Sequence, residues 1–390
     1  MMRQTQDRRY FGRETTPAYG WCRPPQSCRG QLHVFVLNHN GRNLLIRCLP
    51  AICLAAERTR GGAAVTVIDN DSTDDSRQLV LRRFPSVGLY RAQNQGLASF
   101  NEVARAVDQP LVALCNNDVV PSPSMFDAAV QVLKGAPEAF AAAPLVRSAK
   151  DGSCEGPRAR LRFRRGILHT ELNAAPLPAM GGPAYAPSAG VVLVVWRRKF
   201  LKLGGFSAVY FPGRFEDLEL CWRAWRAGWP VLAVEDVWVE HLGSATFRRE
   251  LPAQRLRYLD ARNAVLCTLR NVRSPMRVAS CLLWAFLRMG AAILRGDPVQ
   301  VNAVSHGLLS GLFVRNSWPA GLRRRPEGSL LRFLGDLQQS GQVQTMPPGD
   351  PLGAEKIRLS KGELEDRRHG TARLGQGAGS WPDGGVPWAA

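Results

Sequence analysis

None of the nine cysteines stands in a C-x-x-C pair, and none has a histidine beside it at zinc-ligand spacing. That absence excludes the common zinc modules, and reduced thiols in a cytosolic protein are the expectation. The stretch Met1 to Gly30 contains no apolar run, so no secretory signal is expected in it; it reads as a disordered, basic lead-in. Acidic side chains are scarce: 32 against 51 lysines and arginines, for a net charge of +19. Such a balance favours anionic partners, whether nucleic acid, an anionic membrane or phosphorylated small molecules, without choosing among them. Nucleic acid has only that charge in its favour, because no recognised module and no aromatic interleaving accompanies it. No full-length membrane span is expected either. The apolar stretch from Val278 to Leu294 is interrupted by Arg288 and Gly290 and is short for a transmembrane helix. An amphipathic helix lying on a membrane or on the main domain fits it better, and Arg273, Arg277, Arg295 and Arg323 to Arg325 around it would attract anionic lipid.

What is present is a regular alternation. With 390 residues, 45% of them hydrophobic, the chain can hold one large α/β domain with an appendage, or two domains. The run Gln31 to Leu37 predicts a first strand ending at Asn38-His39-Asn40-Gly41. Asn43 is placed to cap a helix with Leu44, Leu45, Leu49 and Ile52 at helical spacing, stopping at Gly61-Gly62. A second strand, Ala64 to Ile68, runs into Asp69-Asn70-Asp71-Ser72-Thr73-Asp74, where Ser72 or Asp74 can cap the next helix. Val87 to Tyr90 gives a third strand, and Asn94-Gln95-Gly96 a turn before another helix. The fourth strand, Leu111 to Cys115, stops abruptly at Asn116-Asn117-Asp118.

Strand and helix alternating four times call for a parallel sheet with right-handed crossovers and helices on its faces. Ligands of such sheets sit beyond the carboxyl ends of the strands. Asn38, Asp69 and Asn116-Asn117-Asp118 therefore share one rim. A carboxylate delivered there between amides suits a hydrated divalent cation carrying phosphates, although an Asn/Asp turn and a helix-capping Asp69 are the plain alternatives.

A helix from Ser124 to Lys134 and a strand from Phe140 to Val146 continue the domain, and then periodicity fails. The segment from Asp151 to Pro187, with five arginines between Arg158 and Arg165, reads either as a functional loop or lid or as a basic surface hairpin. Gly190 to Trp196 resumes a buried strand, followed by Gly204-Gly205-Phe206. From Glu216 to Ala227 the pattern is helical, with Leu218, Trp222, Trp225 and Trp229 on one face as core or, for one tryptophan, as an acceptor-stacking ring. Glu216 and Asp217 open that helix, where the macrodipole favours negative charge, and one of the two can face the cleft. Pro230 to Val234 and Val237 to Val239 read as two short strands, the second leading to Glu240-His241.

Taken in order, Val36 to Gly41, Ile68 to Asp74, Asn94 to Gly96, Leu114 to Asp118, Gly204 to Phe206, Phe215 to Leu220, Glu240-His241, Arg257-Tyr258 and Arg262-Asn263 resemble the family 2 glycosyltransferases of the GT-A fold. Within them the chain is most similar to the bacterial rhamnosyltransferase-like branch. The resemblance covers roughly residues 31 to 270. It implies a mostly parallel, Rossmann-like sheet flanked by helices, with a C-terminal helical appendage. The segments are then a lead-in (1–30), a GT-A domain (31–250), a helical, membrane-associating appendage (251–335) and a disordered tail (336–390).

The implied reaction is inverting transfer of a sugar from a nucleotide-diphosphate donor, of dTDP-rhamnose or UDP-sugar type. The acceptor would be a hydroxyl of a glycan or lipid-linked molecule in cell-surface polysaccharide synthesis, at the cytoplasmic face of the membrane. By the same resemblance Asp118 is the carboxylate for a Mn2+ or Mg2+ cofactor and His241 completes its shell. Asn38 and Asp69 hold the nucleotide base and ribose, with Asn94, Gly96, Asn116 and Asn117 also on the donor. Asp217 is the general base and Glu216 its runner-up. Two positions depart from the pattern: Asn116 stands where the D-x-D motif usually begins, removing one anionic ligand, and Glu219 stands where the branch often has Asp. A binder of the same fold without turnover is the alternative that Asn116 suggests.

Overall fold

The computed structural model describes residues 19–157, 159–172, 184–243, 251–314 and 318–336. Four parallel strands form the heart of the sheet: β2 (Leu32–Asn38), β3 (Ala63–Asn70), β4 (Gly88–Ala92) and β5 (Leu111–Asn116). Their spatial order is β4-β3-β2-β5. The chain walks outward from β2 to β4 and then crosses back to lay β5 on the other side of β2. That reversal opens a crevice at the β2/β5 edge, where open α/β sheets bind ligands. The register aligns the polar strand ends, pairing Asn38 with Asp69 and Leu37 with Asn116.

Beyond β5 the sheet continues through antiparallel β12 (Val192–Trp196), then β7 (Ala141–Ser148) and β13 (Val231–His241), the last two parallel to each other. The two short strands expected over 230–239 are one strand, bent by a bulge between Val234 and Trp238. β6 (Val119–Pro121) pairs with β13, and β8 (Cys154–Gly156) pairs with β7. A short β11 (Ala184–Tyr185) closes the far edge on β13. At the opposite edge β1 (Gly20–Arg23) adds to β4, so part of the expected disordered lead-in is sheet. Arg23 anchors it, donating to the carbonyls of Val80, Phe84 and Val87. Residues 1–18 and the expected tail beyond 336 lie outside the described residues.

Alternation along β2 divides the core. Leu32, Val34 and Val36 face α1 (Arg42–Glu57) and α4 (Met125–Gly135) in one continuous apolar cluster with Leu45, Leu49, Ile52, Phe126 and Leu133. On the other face Phe100 of α3 (Phe100–Arg105), Phe200 of α5 (Arg197–Lys202) and Phe206 pack ring on ring. Helix α1 starts one residue before the expected Asn43, because the cap comes from elsewhere. Asp74 accepts the backbone N–H of Arg42 at 3.0 Å, and with its other oxygen that of Ser76 at the start of α2 (Ser76–Arg83). One carboxylate thus fixes two helix starts beside the rim.

Helix α6 (Glu216–Arg226) buries Trp222 and Trp225 completely. They are core, and the Trp225 indole donates to the Ala186 carbonyl, so neither is available to stack on a ligand. Four more helices follow: α7 (Ala253–Asn271), α8 (Pro275–Leu294), α9 (Pro298–Phe313) and α10 (Glu327–Asp336). The segments read as domain (31–250) and appendage (251–335) fall in one compact unit, Met1–Thr345. Buried Glu327 shows how they are joined: it accepts from Arg226 of α6, from Arg277 of α8 and from the backbone N–H of Arg273. Within the Arg-rich segment residues 159–172 form a hairpin of β9 (Ala159–Arg164) and β10 (Ile167–Leu172), while 158 and 173–183 lie outside the described residues. Its tip turns at Arg165 and Gly166, and no side chain is tolerated at Gly166, where a Cβ would meet the α8 backbone at 2.7 Å.

Candidate active site

The rim assembles as a chain of hydrogen-bonded polar side chains in the crevice. Asn38, fully buried at the end of β2, accepts from Asn117 Nδ2 at 2.7 Å and donates to Ser72. Gly41 makes room for that pair: a Cβ there would lie 2.1 Å from the Asn117 amide nitrogen. One strand over, Asn70 donates to Asn94 at 2.9 Å and accepts from Ser99 at 2.6 Å. Asn94 in turn accepts the N–H of Gly96, whose positive φ of 60° sets the turn.

Asp69 is the odd member. It is 1% exposed, neither carboxylate oxygen accepts a hydrogen bond among the described residues, and its nearest cation is Arg77 at 3.5 Å. Burial raises its pKa, against the opposing pull of Ser72, Arg77 and Arg91. Capping is not its task, since Asp74 does that. A buried carboxylate without a close hydrogen-bond partner is uncommon in a folded protein.

The second cluster joins β5 to β13. His241 Nε2 lies 3.2 Å from Asp118 Oδ2, while Nδ1 faces Glu155 of β8 at 2.5 Å. Because β-strand side chains alternate, Glu240 points to solvent and His241 inward. Burial lowers the His241 pKa, but the hydrogen bonds and charges of both carboxylates outweigh it and raise the value to about 9. Asp118 Oδ1 is buried with no hydrogen-bond partner among the described residues. Both ring nitrogens thus face carboxylates, which fixes the ring, and Asp118 Oδ1 is the oxygen of the pair left without a partner. Among the described residues no three His, Cys, Asp or Glu side chains form a complete metal set. Asn116 adds its backbone N–H to Val191 O at 3.1 Å, which ties the rim to the start of β12.

Asp217 stands at that same place. Its carboxylate accepts from the backbone of Gly190, just before β12, and it is partly exposed where Glu216 is buried. Burial raises the pKa of both carboxyls, that of Glu216 to about 8. The two residues before them, Arg214 and Phe215, both hold positive φ, of 83° and 74°. Bulky residues avoid that region, and a surrounding structure must impose it. Here Asn263 of α7, fully buried, donates to the carbonyls of Gly213 and Arg214 at 2.8 and 3.0 Å, and Asp260 pairs with Arg214 at 3.1 Å. The sequence match contained Arg262-Asn263 but assigned it nothing; this clamp is what it does. Glu155 was hidden, a carboxylate near the start of a basic segment with no local pattern to mark it.

Glu216 gives a stability prediction. Its pKa rises from an ordinary 4.5 to about 8 on folding, so the unfolded chain releases the proton first and stability falls as pH climbs between those values. Glu216→Gln, which mimics the neutral form, raises unfolding stability at pH 7 by about 1–3 kcal/mol. It also flattens the pH dependence of Tm between pH 5 and 8. A variant no more stable than the parent at pH 7, or one with the parent's slope, contradicts this.

Residues 30–261, more than half of the chain, match the family described as "Glycosyltransferase like family 2". The chain belongs to this family. It is a glycosyltransferase, and the doubly wound sheet with its added C-terminal helices is the GT-A arrangement expected of one. N-acetylglucosaminyl-diphospho-decaprenol L-rhamnosyltransferase of Mycobacterium tuberculosis is 29% identical over 222 residues, covering 50% of this chain and 71% of that protein. Two solved structures also align. TarS of S. aureus, in complex with UDP-GlcNAc, has 12% identity and a TM-score of 0.49, over 79% of this chain and 87% of that one. GalNAc-T7 with UDP, GalNAc and Mn2+ has 15% identity and a TM-score of 0.46; the match covers 69% of this chain and 58% of GalNAc-T7, under two thirds of its length.

Proposed function

We propose that this glycosyltransferase moves a sugar with inversion from a nucleotide-diphosphate donor to a hydroxyl of a lipid-linked acceptor in cell-surface polysaccharide synthesis. The observation that carries the reading is the gathering on one sheet edge of Asp69, the Asp118–His241 pair and the α6 start bearing Asp217. The lipid-linked acceptor follows from the rhamnosyltransferase relative, whose name specifies a diphospho-decaprenol substrate.

Asp69, buried at the rim with Arg77 no nearer than 3.5 Å, takes the donor N–H or O–H groups of the nucleotide. Asn38, Asn94, Gly96, Asn116 and Asn117 line its path along the rim. Asp118 would hold a divalent cation through Oδ1, His241 would join it by exchanging its Nε2 contact with Asp118 Oδ2 for the cation, and the remaining ligands would be donor phosphates and water. Such a cation supplies charge stabilisation for the leaving diphosphate. Loss of the usual acidic residue at Asn116 weakens the set by one charge without removing it. Asp217 takes the proton of the acceptor hydroxyl as its oxygen bonds to the anomeric carbon and the bond to the diphosphate breaks.

Helix α8 supports peripheral membrane contact. It begins at Pro275, before the expected Val278, and so is longer than the stretch judged short for a span. Among the described residues it is the one helix long and apolar enough to cross a bilayer, yet one side of it is packed on α7 and α9. Leu283, Phe286, Leu287, Ile293 and Leu294 are exposed on the remainder. An exposed apolar face of that size beside arginines fits a helix lying in an anionic interface.

The test is thermal stability with UDP, dTDP, GDP and CDP, each with and without Mn2+. A ligand at a hundredfold excess over its Kd stabilises the native state by about 2.7 kcal/mol. One nucleotide shifts Tm, and Mn2+ enlarges the shift. His241→Ala loses the Mn2+-dependent part, and Glu155→Gln weakens Mn2+ affinity about 10- to 100-fold. No shift from any nucleotide in either condition sinks the donor reading.

A further inference from the structure

Between β10, α7, α8 and α9 lies a cavity of about 310 Å³, lined among others by Arg257, Asp260, Arg288 and Gln300. Its volume is at the lower end for small-molecule sites, room for a headgroup and not for a whole glycolipid. Its charges are unbalanced. Arg257 is paired with Asp297 at 2.5 Å and Asp260 with Arg214 at 3.1 Å, whereas Arg288 has no acidic partner among the described residues. Three guanidinium groups thus stand against two carboxylates. Arg288 Nη2 donates to the Arg165 carbonyl at 2.6 Å, which fixes the guanidinium plane, and its Nη1 is buried without an acceptor. A planar donor held in place with an N–H unused is suited to a phosphate oxygen.

Two connections give the cavity a direction. Asp260 lines it and also pairs with Arg214, two residues before Glu216, so one wall belongs to the clamp on the catalytic loop. Arg288 lies on α8, whose other side carries exposed Leu283, Phe286, Leu287 and Leu294. A ligand with an anionic group in the cavity can therefore reach toward Asp217 at one end and follow an apolar helix face at the other.

We infer that this cavity binds the diphosphate of the lipid-linked acceptor, with Arg288 and Arg257 as its donors and the prenyl chain leaving along α8. This rests on the acceptor class proposed above, and it gives the arginine of Arg257-Tyr258 a role. Asp260 faces the anion too, and its pairing with Arg214 is what makes that tolerable.

The probe is geranylgeranyl diphosphate in detergent micelles, titrated calorimetrically into the full chain, beside geranylgeraniol and inorganic pyrophosphate. The diphosphate lipid binds saturably, and each of the other two binds at least tenfold more weakly. Arg288→Ala and Arg257→Ala each weaken the lipid diphosphate tenfold or more, and Arg288→Lys recovers part of the loss. Ala261→Phe, which fills the cavity and leaves its charges alone, also abolishes binding and serves where an arginine variant fails to fold. Equal binding by parent and variants, or geranylgeraniol binding as tightly as its diphosphate, overturns the inference. Pyrophosphate as tight as the lipid makes this a free-anion site and overturns the lipid assignment. The nucleotide-dependent Tm shifts of the parent are measured alongside. Lipid binding without any nucleotide shift defeats the donor reading alone, and the reverse pattern defeats this inference alone.

Discussion

Asp217→Asn lowers kcat about 10²- to 10⁴-fold, a loss of roughly 3–5 kcal/mol of transition-state stabilisation, while the Tm shift given by the donor nucleotide stays that of the parent. The amide keeps the size of the carboxylate but cannot accept the hydroxyl proton. Binding survives because the residues proposed for the nucleotide lie at the ends of β2 to β5, whereas Asp217 is held over the start of β12. The pH profile provides a second reading. Burial raises the Asp217 pKa, and the base works only when ionised, so the acid limb of kcat/KM lies above the ordinary carboxylate range and activity climbs with pH through it. A parent-like kcat in the variant removes Asp217 from the chemistry and moves the role to Glu216. Loss of nucleotide binding together with turnover shows instead that Asp217 shapes the donor site.

Arg223→Ala destabilises the fold by about 3–5 kcal/mol, on the order of a 10 °C drop in Tm. The side chain makes a two-pronged ion pair with Glu219 one turn earlier on α6, both contacts at 2.8 Å, and Glu219 is 0% exposed. It also donates to the carbonyls of Leu203 and Gly205, each at 2.6 Å. Truncation leaves a buried carboxylate without its cation and two carbonyls without donors, the costly direction in which to break a buried pair. Replacing both partners, Glu219→Leu with Arg223→Met, removes the orphaned charge and restores most of the loss. Urea unfolding of the two variants decides it. An Arg223→Ala variant within 1 kcal/mol of the parent means the pair contributes no more than a surface contact. The same bond explains why a longer acidic residue works at position 219: it binds structure, and the cleft-facing carboxylate of this helix is Asp217.

How far the sequence reaches can be seen residue by residue. The four strands ending in polar runs were legible because burial on both faces demands unbroken apolar residues, and function at the strand ends demands an abrupt stop. That logic alone placed Asn38, Asp69 and Asn116 to Asp118 on one edge, and the helical start at Glu216. The family resemblance contributed the roles, which no spacing could supply. Contacts across long sequence gaps were not legible. Glu155 reaches His241 across 86 positions, Asn263 reaches Gly213 across 50, and Asp74 caps α1 from 32 positions away. None of these leaves a periodic trace, because a hydrogen bond depends on where two backbones meet and not on what lies beside either residue. The Arg-rich hairpin was ambiguous for the same reason: its strands pair with each other and dock on α7 and α8, so tertiary packing holds the hairpin where local pattern could not decide it. By itself the sequence determined the parallel sheet, its polar rim and the acidic helix start, since burial and periodicity act locally. Only the folded chain decided which carboxylate is buried, which is clamped toward the crevice, and that an arginine-lined cavity opens beside it.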